Sequence, residues 1–118
     1  MVRRPRDRAP DERLRGASIK RVVVRYRVEP GQAAENERLI ERVFARLEET
    51  QPGGLRYASL RLADGLTFVH VASIETEDGS NPLSALAEFG DFTRDIEQRC
   101  DEPPAGQDAT LVGSYRMF

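Results

Sequence analysis

The sequence is poor in the residues that build covalent or metal-linked structure. Its 118 residues include one cysteine, one histidine and no tryptophan. The single cysteine, Cys100, excludes an intramolecular disulfide, and one histidine with one cysteine cannot supply the usual ligand set of a zinc site. No glycine-rich phosphate loop and no nucleophile motif is present. We therefore expect no metal site and no bound cofactor.

Long apolar runs are also missing. No stretch of the sequence approaches the roughly 18 consecutive apolar residues of a membrane span. The first residues are charged where a secretory signal peptide needs an apolar stretch of about 7 to 15 residues. These two features predict a soluble protein that has no membrane partner. The single cysteine gives no sign of an oxidising compartment, so we expect a cytoplasmic location.

The charge is unevenly distributed along the chain. Residues 1–17 hold six arginines against three acidic residues, whereas the remainder of the chain is acidic. A segment with so few apolar residues cannot offset the entropy lost on ordering. We therefore predict a basic, flexible tail over residues 1–18 and one domain over residues 19–118. The acidic body and the lack of a nucleic-acid-binding motif argue against a nucleic-acid partner.

The first half of the domain has two regular patterns. Residues 19–29 alternate with period two, which predicts a strand with Val22, Val24, Tyr26 and Val28 on one face. Residues 32–51 then carry an apolar stripe at helical spacing, which predicts a helix closed by the glycines at 53 and 54.

The tripeptide at 63–65 indicates a hairpin between two short strands. A two-residue loop would place Leu60 and Leu62 on the face of Thr67 and Val69. A three-residue loop would instead place Leu60 beside Phe68 and Ala58 opposite His70. We expect the three-residue loop, because it segregates the apolar residues.

The last third of the chain predicts one more helix and one more strand. An apolar stripe runs from Leu83 to Ile96, where Gly90 weakens the middle and favours a short turn before the helix proper. The proline-containing residues 101–108 are predicted to be a loop, and residues 109–118 to be the final strand, with Tyr115 on its inner face.

The resulting order is β-α-β-β-α-β, which is the ferredoxin-like arrangement of the α+β class. It predicts a four-stranded antiparallel sheet with the first and third strands central and both helices on one face. The reverse face carries Val23, Val69 and Val71 and is too apolar to lie bare to water. We therefore expect a second copy of the chain to cover it as a homodimer.

Three segments resemble the antibiotic-biosynthesis-monooxygenase-like family of the dimeric α/β-barrel superfamily. They are "VVVRYRVEPGQAAENERLIERVF", "FVHVASIE" followed by a helix with "FGDFTRDI", and the closing "LVGSYR", and the resemblance covers residues 19–118. It implies a small-molecule pocket between the sheet and the helices of each subunit, where some members oxidise polyphenols or quinols with O₂ and without a metal or flavin. The haem-degrading branch has a helix histidine and a tryptophan. The present chain has neither, so we expect no haem degradation.

His70 is the leading candidate for a catalytic role, because the expected register places it between the small side chains Ala58 and Ala72, which leave room for a ligand. Its imidazole could deprotonate or orient a phenolic hydroxyl, while Tyr26 or Tyr115 could stabilise the developing oxyanion by hydrogen bonding. The leading hypothesis is a cofactor-independent monooxygenase acting on a small aromatic or quinol substrate, and the alternative is a non-catalytic small-molecule-binding or dimerisation module in which His70 is a neutral core residue. The predicted site consists of the catalytic residues His70 and Tyr26 and the substrate-binding residues Phe68, Phe89, Phe92 and Tyr115.

Overall fold

The chain folds into one four-stranded antiparallel sheet with helices packed against one face. The computed structural model describes residues 19–118, and the predicted basic tail over residues 1–18 lies outside the described residues. The strand order is β2-β3-β1-β4, with every neighbouring pair antiparallel. This confirms the predicted α+β class and ferredoxin-like arrangement with the first and third strands central. The elements are β1 (Lys20–Val28), a 3-10 turn (Pro30–Gln32), α1 (Ala33–Thr50), β2 (Leu55–Arg61), β3 (Thr67–Ile74), α2 (Ala87–Thr93), α3 (Ile96–Arg99) and β4 (Cys100–Ala109).

The core lies between β1 and α1, as the two sequence patterns predicted. Tyr26 and Val28 of β1 are almost completely buried, and the apolar stripe of α1 contributes Ile40 and Val43. The helix ends where Gln51 adopts a left-handed conformation and its backbone N–H binds the carbonyl of Leu47. No helix within residues 19–118 has the length and apolar character that crossing a membrane requires.

The turn between β2 and β3 corrects the predicted hairpin register. Ser59 pairs with His70 and Leu60 pairs with Val69, so the expected three-residue loop is wrong and the pairing is that of the two-residue alternative. Asp64 stabilises the turn, since its carboxylate accepts hydrogen bonds from the backbone N–H groups of Leu66 and Thr67 and from the Thr67 hydroxyl. This turn chemistry outweighs the segregation of apolar residues that favoured the other register.

The corrected register exchanges the two faces of β2. Tyr57 and Ser59 lie on the helix side of the sheet, where Ala58 and Leu60 were expected. Leu60 and Leu62 lie on the reverse face and are 53% and 39% exposed. A slip of one residue has this effect because side chains alternate between the two faces of a strand.

The second helical region is shorter than its apolar stripe suggested. Residues 82–85 form a turn, α2 begins at Ala87, and a break at Asp95 separates α2 from α3. Asp95 has a left-handed conformation with φ 62°, which no helix can continue through. The short turn before the helix agrees with the prediction, although Gly90, which was expected to favour it, lies inside α2. The break at Asp95 was not foreseen.

The fourth strand lies earlier in the chain than predicted. Residues 101–108 belong to β4 and were expected to be a loop, whereas the predicted strand over residues 109–118 does not form within the described chain. Prolines are tolerated in β4 because it is an edge strand that pairs only with β1. Pro103 and Pro104 lie where the register shifts, between the pairs Arg25–Ala105 and Arg27–Glu102.

The reverse face of the sheet carries an apolar centre. Val23, Val69 and Val71 are half-buried there, and Leu60 is exposed. The segment after β4 is also rich in exposed apolar side chains, of which the largest are Leu111, Val112, Tyr115, Met117 and Phe118.

Candidate functional site

A cavity of about 250 Å³ opens between the helix side of the sheet and α2 and α3. This volume exceeds the roughly 150 Å³ of an apolar protein cavity known to hold benzene. None of the described residues that line the cavity is an acid, an arginine or a lysine. Its polar groups are those of Tyr26, Tyr57, His70, Asn81 and Thr93, and its aliphatic and aromatic walls include Val22, Val24, Phe89, Phe92 and Ile96.

His70 lies at the floor of the cavity, where β3 holds it between β1 and β2. Its side chain is buried and both ring nitrogens are hydrogen-bonded. The distance from Nε2 to the hydroxyl oxygen of Tyr26 is 2.8 Å. Nδ1 lies 2.7 Å from the hydroxyl oxygen of Tyr57 and 2.8 Å from that of Ser59. The imidazole is therefore fixed in orientation by three hydroxyl groups, and it makes its contacts with side chains.

Tyr26 connects the imidazole to two further buried polar side chains. The amide nitrogen of Asn36, on α1, donates a hydrogen bond of 2.9 Å to the Tyr26 hydroxyl. The amide oxygen of Asn36 in turn accepts hydrogen bonds from Nε and Nη2 of Arg99, at 3.3 and 3.2 Å. Arg99 also binds the carbonyl oxygens of Phe92 and Arg94 and thereby satisfies the end of α2.

Burial controls the protonation of these groups. It lowers the pKa of His70 from its ordinary 6.5 to about 4, so the imidazole is neutral at pH 7. Burial raises the pKa of Tyr26, and the hydrogen bond from Asn36 opposes this increase. Burial likewise raises the pKa of Tyr57, while a hydrogen bond with Ser59 acts in the opposite direction. The site at neutral pH therefore consists of a neutral imidazole between two neutral phenols.

Aromatic rings surround the imidazole. The ring of Tyr26 is stacked between Phe68, at 5.6 Å between centroids, and His70, at 5.4 Å. Phe92 lies 5.3 Å from the imidazole centroid, and the Tyr57 ring stacks on Phe44 at 5.0 Å. These contacts restrict the rotamers of the rings and keep their hydroxyl groups near His70.

The structure brings most of the predicted site residues together. His70 and Tyr26 are hydrogen-bonded, and Phe89 and Phe92 line the cavity. Phe68 lies behind the Tyr26 ring and does not line the cavity. Tyr115 is 77% exposed and lies outside the cavity lining, because the sheet ends at Ala109 and the residue is not on a strand. The placement expected for Tyr115 is therefore wrong.

Four residues of the hydrogen-bond network around His70 were missed by the sequence analysis, as were Asn81 and Thr93 of the cavity lining. Tyr57 and Ser59 were assigned to the wrong face by the hairpin register. Asn36 could have been found, since it lies one helical turn before Ile40 within the buried stripe of α1. Arg99 gave no signal, because it follows a break in the helix that the apolar pattern does not show. Residues 19–118 contain no group of three histidine, cysteine or acidic side chains able to hold a metal ion.

Comparison with known proteins identifies the fold. The sequence matches no protein-family model and none of the curated proteins. Among solved structures, Rv0793 from Mycobacterium tuberculosis is 14% identical, with a TM-score of 0.66 over 82% of this chain and 98% of that chain. An antibiotic biosynthesis monooxygenase is 12% identical, with a TM-score of 0.65 over 81% and 100% of the two chains. A mutant of SnoaB, a cofactor-independent oxygenase from Streptomyces nogalater, is 22% identical, with a TM-score of 0.60 over 83% and 97%. At these identities the comparisons establish the fold, and they agree with the resemblance noted in the sequence.

Proposed function

We propose that this chain, which shares its fold with antibiotic biosynthesis monooxygenases, is a cofactor-independent oxygenase for a small hydroxylated aromatic compound. The observation that carries the proposal is the composition of the cavity. Its walls are aliphatic and aromatic, and its polar groups include the three hydrogen-bonded side chains Tyr26, His70 and Tyr57. Such a cavity suits a flat ring that carries one oxygen able to accept a hydrogen bond.

The substrate oxygen would lie against the Tyr57 hydroxyl, with His70 behind it. Tyr57 lines the cavity and is half-buried, whereas the Tyr26 hydroxyl is occupied on both sides by Asn36 and His70. Phe89 and Phe92 would contact the faces of the substrate ring. In this arrangement Tyr57 touches the substrate, and His70 and Tyr26 hold the Tyr57 hydroxyl in place.

The proposed reaction needs no external reductant. A phenol with an unsubstituted para carbon and one O₂ give a para-quinone and one water. One oxygen atom forms the new C=O bond at the para carbon. The other leaves as water with the two hydrogens lost from the hydroxyl and the para carbon. The substrate supplies all four electrons that O₂ accepts, so the atoms and electrons balance without a flavin or metal. A phenolate is the electron-rich form that reacts with O₂, and the cavity would stabilise it by hydrogen bonding.

The test is oxidation of 1-naphthol by the purified full-length chain. We expect one O₂ consumed for each 1,4-naphthoquinone formed, measured with an oxygen electrode and by quinone absorbance. The rate should be unchanged by a metal chelator and by added flavin or nicotinamide. Heat-denatured protein is the blank for autoxidation. No enzyme-dependent oxygen uptake with 1-naphthol or with other phenols open at the para position would refute the oxygenase.

A non-catalytic ligand-binding module is the second candidate. It is favoured by the fact that both ring nitrogens of His70 already have partners within the protein. Such a module would bind phenols, seen as a rise in thermal stability, and would consume no O₂. A ligand at 100 times its dissociation constant would stabilise the fold by about 2.7 kcal/mol. The cytoplasmic location predicted from the sequence stays a prediction for either candidate.

We also propose that the reverse face of the sheet binds a second copy of the chain. Val23, Val69 and Val71 form its apolar centre, and the exposed Leu60 extends it. The neighbouring Arg21 guanidinium lies over the Phe118 ring at 5.7 Å, so the apolar end of the chain adjoins this surface. A second sheet would cover the patch with the same side chains, as a two-fold interface requires.

Light scattering after size exclusion should give the mass of a dimer. Val71→Arg should shift the protein to a monomer. An unpaired charge buried in an interface costs about 3 kcal/mol or more, which raises the dissociation constant by roughly a hundredfold. Ser84→Arg, which places the same charge on an exposed turn outside this face, should remain dimeric. A monomeric wild-type chain at high micromolar concentration would contradict the proposed interface.

A further inference from the structure

Arg99 is a buried cation whose described hydrogen-bond acceptors are all neutral. Its side chain is 8% exposed, and it binds the amide oxygen of Asn36 and the main-chain oxygens of Phe92 and Arg94. The two carbonyl contacts are explained by the end of α2. The contact with Asn36 has no part in ending α2. It places the Arg99 charge at one end of a series of hydrogen-bonded side chains that reaches the cavity.

The guanidinium determines how Asn36 is oriented. An arginine side chain can only donate hydrogen bonds, so the atom of Asn36 that faces it must be the amide oxygen. The amide nitrogen then faces Tyr26, at 2.9 Å from the hydroxyl oxygen, and donates to it. Asn36 is completely buried, so the guanidinium of Arg99 sets the direction of this bond.

The donor of one hydrogen bond fixes the donor of the next, from Asn36 through Tyr26 to His70. The Tyr26 oxygen already accepts from Asn36, so its own hydrogen is free to be donated to Nε2 of His70, 2.8 Å away. If Nε2 carried the proton instead, the Tyr26 hydrogen would have no acceptor among residues 19–118. A buried hydroxyl without an acceptor is unfavourable, and Tyr26 is 2% exposed.

The tautomer of His70 then decides which hydrogen-bonding group the cavity offers. A neutral imidazole that accepts at Nε2 carries its proton on Nδ1. Nδ1–H then donates to the hydroxyl oxygen of Tyr57 or of Ser59, at 2.7 and 2.8 Å. Tyr57 lines the cavity, so its own hydrogen is available to a ligand there. We call Arg99, Asn36, Tyr26, His70 and Tyr57 the donor chain.

We propose that Arg99 and Asn36 are positioning residues that hold His70 as the Nδ1–H tautomer, so that the cavity offers its ligand a hydrogen-bond donor. For a phenolic substrate this inference rests on the proposed function, and it specifies which form of the substrate is bound. The site takes an oxygen that accepts hydrogen bonds, namely a phenolate or a quinone carbonyl. His70 thus supports the donor at Tyr57 and does not remove the phenolic proton, which passes to bulk water as the phenolate binds.

Nitrogen NMR of the imidazole tests the tautomer directly. The chain has one histidine, so selective ¹⁵N labelling gives two ring-nitrogen signals that need no further assignment to a residue. Long-range proton–nitrogen correlations distinguish Nδ1 from Nε2. In the wild-type protein at neutral pH we expect Nδ1 to be protonated and Nε2 to be bare.

The variant Asn36→Asp should reverse the tautomer. A carboxylate at position 36 can only accept, and Arg99 beside it keeps it ionised. Tyr26 would then donate to this carboxylate and accept from Nε2–H, which leaves Nδ1 bare. The variant Arg99→Lys keeps a group that only donates and should retain the wild-type tautomer. Gln98→Glu is the matched control, because it adds the same negative charge at an exposed position next to Arg99. It should leave the ring signals unchanged.

The outcomes separate this inference from the oxygenase proposal. Protonated Nδ1 in the wild type with protonated Nε2 in Asn36→Asp supports the donor chain, whether or not 1-naphthol is oxidised. Protonated Nε2 in the wild type overturns it, even if Asn36→Asp does not fold. The same tautomer in folded Asn36→Asp as in the wild type also overturns it, since Asn36 would then not control the imidazole.

Discussion

Replacing His70 by alanine is expected to lower the rate of 1-naphthol oxidation at least tenfold. The substitution removes the imidazole that holds the Tyr57 hydroxyl and leaves the buried Tyr26 hydrogen without its acceptor. Loss of one donor to an oxyanion typically costs about a hundredfold or more in turnover, and without His70 the Tyr57 donor is no longer held in place. The measurement is kcat and KM from quinone formation. The lower bound is set at tenfold because water that enters the vacated space can replace part of the hydrogen bonding.

Two comparisons make the His70→Ala result interpretable. Circular dichroism and the urea midpoint establish that the variant is folded before its turnover is compared. Tyr115→Phe is the matched control, because it removes a hydroxyl from a tyrosine that is exposed and outside the cavity, and its rate should equal that of the wild type. Unchanged turnover in folded His70→Ala would remove His70 from the mechanism. A loss in Tyr115→Phe would instead restore the role first predicted for that residue.

The elements that the sequence predicts well are those whose local and long-range preferences agree. β1 has strict alternation and a central position in the sheet, so its buried face follows from the pattern alone. α1 has a complete apolar stripe and an end near the glycines at 53 and 54, and its observed bounds differ little from those expected. In both elements burial and backbone preference favour the same structure.

The errors occur where one strong local interaction opposes the average pattern. Asp64 forms three hydrogen bonds within its turn, and the register follows this turn at the cost of exposing Leu60. Pro103 and Pro104 usually indicate a loop. Here an edge strand with a register shift accommodates them. Neither outcome can be read from hydrophobic periodicity, since the first depends on one carboxylate and the second on which strands are neighbours.

The site shows the same division. The imidazole was located because His70 is the single histidine in an apolar strand, and Tyr26 because it lies on the same face. The two Nδ1 partners of His70, Tyr57 and Ser59, depend on the hairpin register, so one wrong turn hid two of the three hydroxyl groups that bind the imidazole. Arg99 reaches Asn36 across 63 positions of sequence, and a contact of that separation has no local pattern.

Acidification is expected to destabilise the protein through the same imidazole. Burial lowers the pKa of His70 to about 4 in the folded state, while the unfolded chain keeps a value near 6.5. Below about pH 6.5 the unfolded state therefore binds a proton that the folded state does not, and the free energy of unfolding falls as the pH falls. The loss stops once the pH passes below about 4, where the folded state is protonated too. The full difference corresponds to about 3 kcal/mol.

Urea unfolding of the wild type and of His70→Gln at about pH 7 and about pH 4.5 measures this contribution. At the lower pH the wild type should have lost most of this free energy of unfolding, about 2 to 3 kcal/mol. The loss should be absent in the variant, which has no imidazole to titrate. The carboxyl of Asp64 does not obscure it. The hydrogen bond from Thr67 lowers the pKa of Asp64 to about 2. The stability lost when Asp64 is protonated is therefore lost at a pH below the range compared. Equal losses in the wild type and His70→Gln would mean that the imidazole is hydrated in solution, and the closed hydrogen-bonded floor of the cavity would then be incorrect.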